Sequence, residues 1–130
     1  MRFISTRAHA YMDYIIGALL IIAPWLLGFA AGGAETIIPV VLGIGTILYS
    51  MFSDHEMSAS RKLPMNTHLS IDIVAGIFLA VSPWLFGFSG LVWLPHLLVG
   101  IVMLLGGIFT SKVAESCPEG TPCYNYSHSR

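Results

Sequence analysis

Two histidines and two aspartates recur in this chain at the same spacing. His9 precedes Asp13 by four residues, and His68 precedes Asp72 by four residues. On a helix, residues four apart lie on one face, about 6 Å apart along the axis. Imidazole and carboxylate groups bind zinc, iron or manganese, and they can also relay protons. Because ionisable groups inside an apolar helix are costly, these four residues are candidates for a metal site or a proton path.

The same four residues also have a purely structural interpretation. An aspartate near a helix start can accept hydrogen bonds from unpaired amides and interacts favourably with the helix dipole. A repeated His–Asp pair can also pair across two helices and set their register. A haem held between His9 and His68 is a further alternative, although His96 has no partner histidine at its depth for a second haem. Residue types and spacing leave these roles open.

Other residues with ligand chemistry are weaker candidates. The run Asp54-His55-Glu56 is better explained as a solvated helix end than as a ligand cluster. Cys117 and Cys123 are too far apart for a C-x-x-C redox motif, and with His128 they form an incomplete metal-ligand set. The sequence contains no Gly-rich phosphate loop, Walker motif or nucleophile elbow. No cofactor is therefore predicted, with a divalent metal at the His–Asp pairs as the open alternative.

The four polar residues belong to a longer internal repeat. With an offset of 59, HAYMDYIIGALLIIAPWLLGF matches HLSIDIVAGIFLAVSPWLFGF at nine of 21 positions without a gap. Six of the nine matches share an arc of about 100° on a helix. They are His9, Asp13, Gly17, Leu20, Pro24 and Gly28, repeated as His68, Asp72, Gly76, Leu79, Pro83 and Gly87. Small residues let membrane helices approach closely, so we expect the first and third helices to meet on this face.

Composition indicates the environment of these helices. Hydrophobic residues make up 55% of the chain and charged residues 10%, against roughly 25% charged in ordinary soluble domains. Four apolar runs are long enough to cross a bilayer, which takes about 17–25 residues; they are residues 13–30, 36–53, 71–88 and 91–110. A cleaved signal peptide is the alternative for the first run, but its pattern returns after residue 60, where no signal peptide acts.

The positive charges predict an orientation. All six Lys and Arg residues lie in three segments, at the beginning, middle and end of the chain: Arg2, Arg7, Arg61, Lys62, Lys112 and Arg130. Four crossings place these segments on one side, and the loops around Gly32 and Ser89 carry no Lys or Arg. The positive-inside rule then places both termini in the cytoplasm. Nothing in this charge pattern suggests nucleic-acid binding.

The repeat includes an octapeptide, APWLLGFA from Ala23 and SPWLFGFS from Ser82. Each proline removes an amide from the helix and is expected to kink it about one turn before its end. The tryptophans are expected at the membrane interface. The Gly-Phe pair that follows is expected to end each helix and turn the chain into a short outer loop. Together with the small residues of the shared face, the prolines and tryptophans form the predicted helix-packing motif: Gly17, Pro24, Trp25, Gly28, Gly76, Pro83, Trp84 and Gly87.

The doubled octapeptide resembles the SPW repeat family of prokaryotic membrane proteins, which is named for its Ser-Pro-Trp motif. The resemblance covers about 100 residues, and the first copy departs from the motif because Ala23 stands where the family has serine. The resemblance implies two membrane helices for each motif and a location in a prokaryotic cytoplasmic membrane. It implies no established activity.

These observations predict an all-α fold, a four-helix transmembrane bundle made of two parallel helical-hairpin repeats. The membrane domain would span residues 1–112, with repeats at about 9–53 and 68–112, a linker at 54–67 and a flexible polar tail at 113–130. We expect a small non-enzymatic scaffold or partner-binding module in the lipid bilayer, as a homo-oligomer or with a larger membrane-protein partner. The alternative function is ion, proton or metal transport through His9, Asp13, His68 and Asp72.

Overall fold

The structure, a computed structural model, describes residues 2–53, 55 and 58–112. These residues form four helices and no strands beyond two isolated bridges: α1 (Thr6–Leu26), α2 (Ala34–Met51), α3 (Met65–Leu85) and α4 (Leu94–Phe109). The predicted all-α four-helix fold is therefore confirmed. The predicted tail and residues Asp54 and Glu56 lie outside the described residues.

Three of the helices are long and apolar enough to cross a membrane. The fourth, α4, has 16 residues and is about 24 Å long at 1.5 Å per residue. It is shorter than the predicted run 91–110, because Leu91 and Val92 form a turn with the carbonyl of Phe88. Pro95 occupies the first turn of α4, a position that suits a residue without an amide hydrogen.

The helices pair as two hairpins, α1 with α2 and α3 with α4. The beginnings of α1 and α3 meet, since the rings of His9 and His68 are 5.3 Å apart. At the opposite end of the bundle, Phe29 and Phe88 both contact the ring of His96. The two hairpins therefore run in the same direction, as predicted for parallel repeats.

The glycines on the repeated face do not join α1 to α3, and this prediction was wrong. A methyl group built on Gly17 would lie 2.9 Å from the carbonyl oxygen of Gly43, and one built on Gly76 would lie 2.6 Å from that of Gly100. Each glycine thus allows the two helices of one hairpin to approach closely. The periodic pattern identified the buried face correctly but not the neighbouring helix.

Two further glycines of the predicted packing motif have a different role. Gly28 and Gly87 lie beyond the ends of α1 and α3 with φ angles of 74° and 75°. A Cβ built on either would meet nothing within 4 Å. They end their helices in a left-handed conformation that glycine adopts without strain. The expected helix termination is therefore confirmed, and the packing role expected for the same glycines was wrong.

The prolines and tryptophans of the octapeptide separate onto different surfaces. Pro24 and Pro83 are buried inside the last turns of α1 and α3. Trp25 and Trp84 are exposed, as interfacial anchors would be, and they do not pack between helices. The ring of Trp84 contacts the ring of Trp93 at 6.2 Å.

Backbone pairing joins the two hairpins at the end where α1 and α3 begin. Ile4 pairs with Thr110, and Ser53 pairs with Leu63. The segment before α1 therefore crosses the end of α4, and the segment before α3 crosses the end of α2. Each of these contacts joins one hairpin to the other. This exchange encloses the predicted polar residues between all four helices.

Candidate functional site

The structure brings His9, Asp13, His68 and Asp72 together in one cluster. One ligand atom from each residue lies within 4.8 Å of all the others. The Nε2 atoms of the two histidines are 3.3 Å apart. The repeated spacing on two parallel helices is the physical reason, since each pair occupies the first turns of its helix on the buried face.

Each histidine contacts the aspartates of both repeats. His9 Nε2 lies 2.8 Å from Asp72 Oδ2 and 3.3 Å from Asp13 Oδ1. His68 Nε2 lies 2.8 Å from Asp13 Oδ2 and 3.2 Å from Asp72 Oδ2. The shorter contact of each histidine is therefore made with the opposite hairpin, so the cluster connects the two repeats.

The cluster is removed from solvent. The exposed fraction is 0% for His68, 1% for Asp72, 2% for His9 and 5% for Asp13. Buried charged groups require partners, because an unpaired charge in such a site costs several kcal/mol or more. Helix capping does not explain the burial of His9 and Asp13. Ser5 caps α1 by accepting a hydrogen bond from the amide of Ala8, and Asp13 lies two turns further along the helix.

Two hydroxyl groups orient the histidine rings. Thr110 Oγ1 donates to the carbonyl of Gly106 and lies 2.9 Å from His9 Nδ1. Ser53 Oγ donates to the carbonyl of Tyr49 and contacts His68 Nδ1. Because each hydroxyl hydrogen is already used, each oxygen accepts from the ring, which places a hydrogen on Nδ1 and turns Nε2 toward the centre of the cluster.

The surroundings of the two aspartates differ. Asp72 Oδ1 accepts a hydrogen bond from the Tyr49 hydroxyl, and Asp13 Oδ2 accepts one from Ser50 at 3.0 Å. Ser50 Oγ also lies 3.1 Å from His55 Nε2. The sequences of α2 and α4 also align, with an offset of 57 residues that places Gly43 on Gly100.

That offset reveals where the symmetry is broken. It relates Ser53 to Thr110, and each of these contacts a histidine Nδ1 atom. It relates Tyr49, Ser50 and His55 to residues without comparable polar groups. Those residues are Gly106, Gly107 and Lys112. A Cβ built on Gly106 would lie 3.4 Å from the His9 ring, so the second hairpin presents a small surface where the first presents polar side chains.

An apolar core separates the cluster from the other end of the bundle. It is centred on Leu20, Leu79 and Met103, which are almost fully buried. Beyond this core, Glu35 Oε1 accepts hydrogen bonds from the amides of Ala31 and Gly33 in the loop before α2. Among the described residues, the only group of three or more His, Cys, Asp and Glu side chains with metal-ligand spacing is therefore the one at the beginning of α1 and α3.

The remaining sequence candidates fall in different places. His55 is buried beside the cluster, contrary to the interpretation of its run as a solvated helix end. His96 packs between Phe29 and Phe88 at the far end of the bundle. Cys117, Cys123 and His128 lie outside the described residues, so their predicted roles stay predictions.

Ser53 and Thr110 were not identified as site residues from the sequence. Their signal was present in the offset of 57 that also relates Gly43 to Gly100. Serine and threonine at helix ends are common, and only the folded arrangement shows that each reaches a histidine of the neighbouring helix.

Comparison with known proteins gives one match. The profile of the SPW repeat domain matches residues 7–110, which is most of the chain. No curated protein and no solved structure matches the chain.

Proposed function

The chain belongs to the SPW repeat family, and from this premise we propose that it is a non-enzymatic membrane protein whose two hairpins are clamped by a divalent transition-metal ion. The ligands are His9, Asp13, His68 and Asp72. The observation that carries the proposal is the convergence of their four ligand atoms within 4.8 Å of one another in a buried site.

The distances suit a tetrahedral ion. Zinc binds imidazole nitrogen at about 2.0–2.1 Å and carboxylate oxygen at about 2.0–2.2 Å, so neighbouring ligands of a tetrahedral site lie about 3.3–3.5 Å apart. His9 Nε2 lies 3.3 Å from both His68 Nε2 and Asp13 Oδ1, which is in this range. The 2.8 Å contacts, one of which is made by the other Asp13 oxygen, would have to lengthen by about 0.5 Å, and the widest pairs, within 4.8 Å, would have to shorten by up to about 1.3 Å.

The ring orientation and the charge also fit an ion. A metal-binding histidine usually donates its other ring N–H to a hydrogen-bond acceptor, as Thr110 and Ser53 allow for His9 and His68. Two neutral imidazoles, two carboxylates and one divalent cation sum to zero charge. Without an ion the cluster is also neutral when both histidines are protonated, because each Nε2–H then donates to the aspartate oxygen 2.8 Å away; the metal content of the protein therefore distinguishes the two states.

The arrangement supports a clamp rather than a catalyst or a conducting path. Four protein ligands close a tetrahedral site, whereas catalytic zinc sites keep one position open. Transport requires a polar route through the bilayer, but Leu20, Leu79 and Met103 pack together on the membrane side of the cluster. We place the protein in a prokaryotic cytoplasmic membrane with both termini in the cytoplasm, because the Lys and Arg residues gather on that side. A homo-oligomer or a larger partner stays a prediction.

Metal analysis of the purified protein tests this function. The protein is extracted in mild detergent without chelators, and its metals are measured by mass spectrometry. We expect about one divalent transition-metal ion per chain. Asp13→Asn and His68→Ala should reduce the content to background, because each removes a ligand.

Ser82→Ala is the matched control. Ser82 is fully buried on the same helix as His68, and its hydroxyl bonds the carbonyl of Leu79, away from the cluster. Alanine there reproduces the residue that the first repeat has at position 23. The control should keep its metal. A wild-type protein that contains no metal and takes up none from Zn²⁺ or Co²⁺ would contradict the proposal and leave the cluster with a structural role.

A further inference from the structure

We infer that His55 and Ser50 form the route by which the ion enters and leaves the buried site, with the His55 imidazole acting as a transient ligand. This inference rests on the proposed metal site. It assigns a function to two of the three polar residues around the cluster that the two repeats do not share.

The cluster is closed toward the membrane interior. Leu20, Leu79 and Met103 form the apolar core on that side, and a desolvated divalent ion does not pass through hydrocarbon side chains. The ion must therefore arrive from the end of the bundle where α1 and α3 begin. Two segments cover the cluster there, one at the end of α2 and one at the end of α4.

Backbone hydrogen bonds hold the covers at the ends of both α2 and α4, but the described residues of the α4 cover offer no metal ligand. Phe3 and Ile4 donate their amides to the carbonyl of Phe109, and Ser111 donates to that of Ile4. Arg2 also bonds the carbonyl of Thr110. A cation would meet positive charge at either cover, Arg2 here and Arg61 and Lys62 at the end of α2, but behind Arg2 it would find only the small surface of Gly106.

The cover at the end of α2 offers ligands in sequence. His55 is fully buried, and its ring centroid lies 6.0 Å from that of His68 and 6.4 Å from that of Tyr14. His55 Nε2 lies 3.1 Å from Ser50 Oγ, which lies 3.0 Å from Asp13 Oδ2. An imidazole, a hydroxyl and a carboxylate therefore form a continuous line from the loop to a ligand of the ion.

The pseudo-symmetry argues that this line is not a packing requirement of the fold. The offset of 57 relates Ser50 to Gly107 and His55 to Lys112, and Lys112 is exposed. The second hairpin thus closes over the cluster without either side chain. The exchange proposed here is ligand substitution coupled to one proton: His55 Nε2 gives up the hydrogen that it donates to Ser50, to its own Nδ1 or to water, and binds the ion as the ion leaves Asp13. No electron is transferred.

The rate of metal exchange tests the route. The full-length protein in detergent is loaded with Co²⁺ alone, whose visible spectrum reports tetrahedral ligation, and release into excess chelator is followed in time. His55→Ala should retain one Co²⁺ per chain with the wild-type spectrum but release it at least about tenfold more slowly. His55→Gln, which keeps the volume of the side chain, should do the same. Lys112→Ala, at the related position, should release Co²⁺ at the wild-type rate.

Each alternative result has a defined meaning. Faster release from His55→Ala would show that the side chain is a plug, and an unchanged rate would show that the ion uses another path; either overturns the route while leaving the metal site intact. Co²⁺ that binds the wild type but neither His55 variant would make His55 a permanent ligand or essential support, which also overturns the route. Failure of the wild type to bind Co²⁺ would overturn the proposed function and the route with it.

Discussion

Replacing Gly100 with alanine should force α3 and α4 apart. A methyl group built on Gly100 would lie 2.5 Å from the carbonyl oxygen of Gly76, 2.6 Å from the amide nitrogen of Ala80 and 2.8 Å from its Cβ. Carbon atoms in contact require about 3.5 Å, so the helices must separate by about 1 Å. All three contacts are with backbone or a methyl group, so no side chain can rotate away to relieve them.

The expected loss of stability follows from two opposing effects. Overpacking of this kind costs about 1–3 kcal/mol, and the rigid contacts place it at the upper end. Alanine is a better helix former than glycine by about 1 kcal/mol in water. The net expectation is a decrease of about 2 kcal/mol in the free energy of unfolding, measured by titrating the protein from mild detergent into a denaturing one while following helical circular dichroism.

Gly45→Ala is the control for the helix-propensity effect. Gly45 is also inside a helix, α2, but a Cβ built there meets nothing within 4 Å. This variant should be as stable as the wild type or more stable by up to about 1 kcal/mol. If Gly100→Ala and Gly45→Ala unfold at the same denaturant concentration, the close approach of α3 and α4 is refuted.

Two further predictions concern the histidine supports and the orientation. Thr110→Val keeps the shape of the side chain but leaves the His9 ring N–H without its acceptor. The change should cost about 1–3 kcal/mol of stability and lower Co²⁺ affinity about 10–100-fold. An unchanged affinity in a Co²⁺ titration would argue against the orienting role of Thr110. Cys117 and Cys123 should resist an impermeant maleimide in intact cells and react after lysis, because the positive-inside rule places the C-terminal segment in the cytoplasm. Rapid labelling of intact cells would reverse the orientation.

The cluster was predictable because a tandem repeat copies a local pattern into a related position. A His–Asp pair four residues apart lies on one helix face wherever that helix is placed, and parallel repeats bring equivalent ends together. Asp13 and Asp72 could therefore be expected near His9 and His68 from the sequence alone. The apolar runs likewise determined the helical class and the membrane-like character of three helices.

The partners of the helices were not predictable in the same way. The 3.6-residue period shows that Gly17 and Gly76 are buried, but it carries no information about which helix lies against them. The structure pairs them with Gly43 and Gly100 inside each hairpin. The wrong assignment arose because a face repeated in two helices suggests contact between those helices, whereas the repeat here preserves two separate contacts of the same kind.

Local backbone geometry decides between the two roles that the sequence allowed for Gly28 and Gly87. Gly28 and Gly87 fall on the helical arc only if the helix continues to them, and the helices end at Leu26 and Leu85. A glycine shortly after a proline and a tryptophan is consistent with either a packing residue or a helix terminator. Its lack of a side chain allows both the close approach of another helix and a positive φ angle. The positive φ angles decide between the two.

The sequence by itself determined that two similar helical hairpins carry two similar His–Asp pairs, because periodicity and repetition are properties of a single chain. Only the tertiary structure decided that Thr110 supports His9 and that Ser53 supports His68, since these contacts cross from one hairpin to the other. The burial of His55 beside the cluster was also a tertiary outcome. These contacts depend on the segment before α1 crossing the end of α4 and the segment before α3 crossing the end of α2. No local pattern in the sequence specifies those crossings.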